Sequence, residues 1–265
     1  MSAIRTSAVA GRFYPDDPLT LCQTVKEYLR QGRLVHPPSS ARPKAIIAPH
    51  AGYEFSGPVA GTAYAQLETI SDSIERVVLV GPAHFVGFHG LAVSNADLFA
   101  TPIGTVPIDR SSVARLLRME QVVSLDAAHA PEHSLEVHLP FLQVVLSDFS
   151  LVPIVVGEAT CVEVAEVLED MWGGAETLFV ISSDLSHYHD YANAQRIDRE
   201  TAELIETLHG EKLTGERACG YAAIRALLQV AKQRNLTVRA LDLRNSGDTA
   251  GPRNQVVGYG AYIIE

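Results

Sequence analysis

The sequence predicts an α/β protein built on a mixed, mostly parallel sheet with helices covering both faces. Three observations carry this prediction. Apolar runs of strand length alternate with amphipathic stretches of helix length along most of the chain. The runs RVVLV at 76–80, LVPIVVG at 151–157 and TLFVIS at 177–182 are almost unbroken in apolar character, as strands buried on both faces must be. The segment FATPIGTVPID at 99–109 carries Pro102, Gly104 and Pro107 and reads as a turn-containing hairpin, so antiparallel pairing is expected beside the parallel strands.

Pro15 and Asp16 precede LTLCQTVKEYLRQG at 19–32, whose apolar spacing predicts an amphipathic helix stopped by Gly32. HPPSSARPK at 36–44 is rich in proline and serine and reads as a surface loop leading into the sheet. The pattern then predicts a strand at 45–48, a helix at 57–68, strands at 76–81 and 89–94, and helices near 111–119 and 139–147. A strand at 151–156, a helix at 161–172 and a strand at 177–182 follow. The chain closes with helices near 191–209 and 219–234 and strands at 237–243 and 256–264. No linker, repeat or low-complexity tract interrupts this rhythm, so residues 1–265 are expected to form one domain.

Composition narrows the function. A hydrophobic fraction of 47% with 20% charged residues is ordinary for a globular protein with a sizeable core. The net charge of -10 repels phosphate backbones and anionic lipid surfaces, which argues against nucleic-acid and membrane partners. The N-terminal stretch MSAIRTSAVAGRFYP has no apolar run of signal-peptide length, and a cytoplasmic location is expected. Cys22, Cys161 and Cys219 are odd in number and widely spaced, which is not a disulfide framework.

Three strand ends carry a histidine: AIIAPHAGYEFSG at 45–57, VVLVGPAH at 77–84 and LFVISSDLSH at 178–187. Ligands of open α/β sheets bind outside the carboxyl ends of the strands, so His50, His84 and His187 are candidates for one shared cavity. Neutral imidazole is a common transition-metal ligand, and His50 with His84, one strand-helix-strand unit apart, form the first pair. Asp184, Glu136, His138 and Cys219 compete for the third position. Cys219 opens CGYAAIRALLQVAK, where a helix N-terminus favours thiolate; a packing cysteine is the competing reading. Ser182, Ser183 and Asp184 are placed to orient His187 as a general base, whereas His189 is expected to be the more exposed of the two nearby histidines. His133, Glu136 and His138 cluster ahead of a helix begun by Pro140, where they can contact substrate or support the ligands. His36, His89, His129 and His209 receive no role.

With AVAGRFYP at 8–15, APHAGYEFSG at 48–57, GPAHF at 81–85, EHSLEVHLPFLQ at 132–143, SSDLSHY at 182–188, CGYAAI at 219–224, NSGDTAG at 245–251 and VVGYGAY at 256–262, the chain resembles the Memo family. Its prokaryotic members are called AmmeMemoRadiSam system protein B. That family is in turn similar to the class III extradiol dioxygenases, non-haem iron enzymes with a three-layer α/β/α core. The resemblance implies a metal site at His50, His84 and Cys219, with His187 at the position of the dioxygenase base and Asp184 beside it. Iron is the first expectation, with copper or zinc as alternatives. The dioxygenases use a carboxylate where this chain has Cys219, and thiolate is softer and more easily oxidised.

Three functions follow as expectations. The first is a metal-dependent oxidoreductase acting on an aromatic or enolic small molecule. The second is a non-catalytic module using the same cavity to bind a peptide or partner. The resemblance implies phosphotyrosine peptides in animal members, and an AMMECR1-like module or radical SAM protein in prokaryotic ones. The third is a zinc hydrolase with His187 as base.

Overall fold

The computed structural model describes residues 2–38 and 42–265. In chain order the elements are β1 (Ile4–Arg5), α1 (Pro18–Val35), β2 (Ala45–Ala48), α2 (Tyr53–Ala65), β3 (Arg76–Pro82), β4 (Leu91–Val93), β5 (Leu98–Thr101) and β6 (Gly104–Pro107). They continue with α3 (Arg110–Leu116), β7 (Val122–Ser124), α4 (Asp126–His129), α5 (His133–Glu136), α6 (Leu139–Val145), β8 (Ser150–Val156) and α7 (Cys161–Asp170). The last are β9 (Thr177–Ser182), β10 (His187–His189), α8 (Tyr191–Glu206), α9 (Tyr221–Gln233), β11 (Val238–Asn245) and β12 (Val256–Ile264). Part of the expected 36–44 loop, residues 39–41, lies outside the described residues.

The main sheet has the order β10-β12-β2-β9-β3-β8-β4-β7, with β11 also paired to β12. Its centre, β2-β9-β3-β8, is parallel, and the strands there are the apolar runs of the sequence, buried along almost their whole length. Antiparallel pairs lie outside this centre, where β12 joins β2 and β4 joins β8. The predicted hairpin is present as β5 and β6, which pair antiparallel and form a separate small sheet with β1.

Helices cover both faces. Asp242, the register partner of Ala261, accepts a hydrogen bond from Thr62 of α2, so that face of β12 looks toward α2, on which α1 and α6 pack. Gly258, three residues earlier and so on the opposite face, lies against α8: a Cβ there would stand 2.0 Å from Asp198 Oδ2. Both α8 and α9 pack on the one-turn helix Gly210–Lys212, and α7 packs on α9, which completes the outer layer.

Several boundaries differ from the sequence pattern, each for a local reason. Gly32 does not stop α1; the helix runs on to Val35, and Gly32 instead permits a close crossing. A Cβ on Gly32 would lie 2.4 Å from the Gly61 carbonyl oxygen of α2, and one on Gly61 would lie 2.4 Å from that of Tyr28. The helix α2 starts a turn before the expected 57, because the Gly52 carbonyl already accepts from the Phe55 and Ser56 N–H groups. The helix α8 ends at Glu206 rather than near 209, and Leu208 beyond it takes a left-handed φ of 58°. The strands β1, β7 and β10 and the short helices α4 and α5 have too few residues to leave a periodicity. Among the described residues no helix is long and apolar enough to cross a membrane.

Substituting Gly32→Ala gains about 1 kcal/mol of helix propensity but forces two backbones apart, a strain of about 1–3 kcal/mol or more. A net loss of stability is expected by urea unfolding, and a gain would refute the close crossing.

Asp198 is buried, and burial raises its pKa to about 6 against the opposing hydrogen bond from the Ser186 N–H. Its folded pKa exceeds the unfolded value, so the folded state holds the proton longer and stability falls as pH rises from about 4 to about 6. Asp198→Asn is therefore expected to stabilise the protein at pH 7.5 by roughly 1–3 kcal/mol and to lose that gain near pH 4. Unfolding curves at the two pH values check it.

Candidate metal centre

The parallel strands end together, and their following loops supply the candidate residues. His50 stands two residues beyond β2, His84 two beyond β3 and Asp184 two beyond β9. The short helix α5 brings His133 to the same place, and Cys219 lies just ahead of α9. Ring centroids are 5.1 Å apart for His50 and His84, 5.5 Å for His50 and His133, and 4.6 Å for His84 and His133. One ligand atom from each of these three imidazoles lies within 4.8 Å of the other two, a group that could hold a metal ion.

Hydrogen bonds decide which nitrogen each ring offers. The Ser182 hydroxyl donates to the Ser134 carbonyl at 2.6 Å, so its oxygen accepts from His50 Nδ1 at 2.6 Å. The Nδ1 atom of His50 therefore carries the proton and Nε2 offers a lone pair. Glu132 receives His84 Nδ1 at 2.8 Å and the His84 N–H at 2.6 Å. A carboxylate only accepts, so His84 also presents a free Nε2. Partners of this kind orient metal-ligating histidines and fix their tautomers.

The electrostatics suit a cation. Burial first, then the neighbouring charges of His84 and His133, hold His50 well below the ordinary histidine pKa, so its ring is neutral at pH 7. His133 is also lowered, chiefly by burial and then by His84. Burial alone would raise Glu132, but the hydrogen bonds from His84 and the Ser134 N–H override it and bring the carboxyl to about 2.

Cys219 Sγ lies 3.4 Å from His50 Nε2 and accepts from the Asp184 N–H at 3.3 Å. The expected helix-terminus thiolate is not what the fold favours. The helix α9 begins at Tyr221, the Gly220 N–H is taken by Ser183 Oγ, and burial followed by the charge of Asp184 pushes the thiol up to about 12. A metal cation is the group that could ionise this thiol, since coordination deprotonates it outright.

The polar residues ahead of His187 serve other partners than the sequence suggests. Ser182 orients His50, Ser183 Oγ meets Gly220 and Cys219, and Asp184 Oδ1 accepts the His50 N–H at 2.8 Å. The other oxygen, Asp184 Oδ2, lies 3.9 Å from His50 Nε2. Burial raises the Asp184 pKa against that N–H bond and the nearby histidine charges. His187 and His189 are both half-buried. Both line a cleft of about 660 Å3 that reaches His84 and Cys219. Tyr188 between them adopts a left-handed φ of 61° where β10 pairs irregularly with β12.

The group at 132–138 divides. His133 joins His50 and His84 as a possible ligand, although the sequence placed it in a supporting role. Glu136 is wholly buried and engaged by Arg5, the Ala8 and Val9 N–H groups and the Tyr14 hydroxyl, so it anchors the N-terminal segment. His138 Nδ1 meets the Tyr64 hydroxyl at 2.9 Å, and burial, then His50, lowers its pKa to about 3. Glu132 was missed by sequence reasoning. Its signal was an acidic residue at the N-cap of the helix that carries His133.

Comparison with known proteins places these residues in a family context. A family model described as Memo-like protein matches residues 5–263. A MEMO1 family protein of Methanothermobacter thermautotrophicus is 33% identical over 97% of this chain and 98% of its own length. One from Methanopyrus kandleri is 36% identical over 98% of each chain. A MEMO1 family protein of Thermotoga neapolitana is 32% identical over 98% of this chain and 99% of its own length.

Glu132→Gln replaces an ionised acceptor of the His84 ring by a neutral amide. Metal affinity is expected to fall roughly 10–100-fold, the usual effect of losing such a partner. Competition against a chromophoric chelator measures it, and an unchanged affinity would remove Glu132 from the centre.

Proposed function

The chain belongs to the Memo-like protein family, and on that premise we propose that it is a metal-dependent oxidoreductase related in chemistry to the non-haem iron dioxygenases. His50 and His84 would hold the ion, with Cys219 and His133, which both adjoin His50, as further donors. The observation that carries this reading is the pair of committed Nδ1 atoms. Ser182 and Glu132 occupy them, which leaves the Nε2 atom of each ring for a ligand in a cluster that also holds a third imidazole and a neighbouring thiol.

The donor set suits iron, and its imidazoles and sulfur also accept copper or zinc. Bound iron would supply a redox-active Lewis acid. The chain's own residues do the rest. Glu132 and Ser182 orient the ligands, and the Asp184 carboxylate fixes the loop of His50 through its N–H. In this reading His187, on the wall of the cleft leading to Cys219, exchanges a proton with substrate at its ring nitrogen.

Protein purified anaerobically without chelator is expected to carry close to one equivalent of iron, copper or zinc, and His50→Ala to lower that content at least about tenfold. Elemental analysis of both proteins checks it. Equal, negligible metal in the two would overturn the proposal.

A further inference from the structure

Two clefts meet at the candidate metal centre. One, of about 590 Å3, is lined by Phe85, Val86, Phe88 and Tyr221 together with the polar pair His89 and Glu158, and reaches His84 and Cys219. The other, of about 660 Å3, contains His187, His189, Arg196, Glu200 and Arg217 and reaches the same two residues. Each has the size of a small-molecule site.

In the second cleft the charges are unevenly matched. Arg196 meets Glu200 at 2.8 Å, the length of a charge-assisted bond. Arg217 reaches the same carboxylate only at 3.2 Å and Thr201 Oγ1 only at 3.3 Å. Its side chain is 28% exposed against 59% for Arg196, so it is the better covered of the two. A half-buried guanidinium with five N–H donors, one oxygen of a shared carboxylate and one hydroxyl keeps donors for a further planar acceptor. Since Glu200 already has Arg196, Arg217 can turn to a carboxylate in the cleft without leaving Glu200 unpaired. Glu216, the other acid of this cleft, is exposed.

The first cleft is open around its aromatic residues. Phe85 is 59% exposed although its ring stands 5.7 Å from that of His133, edge to face. Gly87 lines the same space, and a Cβ built on it would meet nothing within 4 Å. Aromatic surface left open beside a few convergent polar groups is the usual form of a ligand site.

We propose that the ligand of this centre is a small amphipathic acid. Its apolar end lies among Phe85, Phe88 and Tyr221, its carboxylate pairs with Arg217, and the atoms between them cross His84 and Cys219. This deepens the metal-dependent reading and rests on it only for which atoms react.

Cinnamate and its neutral counterpart cinnamyl alcohol serve as probes, with inorganic phosphate as a third, in ligand-observed NMR titrations. The proteins are wild type, Arg217→Gln, Arg217→Lys and Gly87→Leu, each with metal content and thermal unfolding recorded. Wild type is expected to bind cinnamate roughly tenfold or more tightly than the alcohol, as a charge-assisted pair should. Arg217→Gln brings the two affinities together with metal content unchanged, and Arg217→Lys restores part of the preference. Gly87→Leu weakens both probes alike.

The proposal is overturned if Arg217→Gln keeps the acid-over-alcohol ratio, if wild type binds neither probe, or if inorganic phosphate outcompetes cinnamate. A preserved ratio in wild type with no metal bound would support the acid site while removing the metal-dependent function.

Discussion

The parallel register of β2, β9 and β3 is the constraint on which the centre depends. Ala48 stands opposite Ser182, and Val80 opposite Ile181, so the three strands reach their carboxyl ends almost level. With β9 in the middle, Ser182 lies between the loops that carry His50 and His84. The backbone ladder holds these ends rigidly, and a ligand set on rigid ends needs little ordering when a cation binds. A one-residue slip of β9 would turn the Ser182 side chain to the other face and take away the partner of His50.

The centre gathers uncharged donors and places its negative charge just behind them. Burial keeps His50 neutral and Cys219 protonated, while Glu132 stays ionised because four polar hydrogens or charges outweigh its burial. Two chains of contacts fix the ligand rings, one from the Ser134 carbonyl through Ser182 to His50 and one from Glu132 to His84. Such networks stiffen a site when complete and are costly when one member is missing. The N-terminal segment is tied into the same region, because Arg5 donates to the Glu132 and His129 carbonyls as well as pairing with Glu136.

Much of the fold was legible because its signals are local. The strands 177–182 and 256–264 match their apolar runs residue for residue, and the hairpin at 99–109 follows its proline and glycine punctuation. Helix ends were less legible. Gly32 looks like a stop in sequence but is required by the backbone of another helix, a contact that no pattern within 19–32 encodes. Elements of two to four residues, such as β10 and α5, are held by neighbours rather than by their own periodicity.

The candidate site divides in the same way. The strand-then-loop rhythm alone put His50, His84 and His187 at the sheet's carboxyl edge, since that placement depends only on where each apolar run stops. Which polar group serves which histidine was decided by the fold. Ser182 is 132 positions from the His50 it orients, and Glu132 is 48 from His84. Ser182 and Asp184 precede His187 in sequence yet turn to His50, because β9 lies beside β2 and their ends face each other. Strand order creates those pairings, and it is a property of the whole chain that no segment carries.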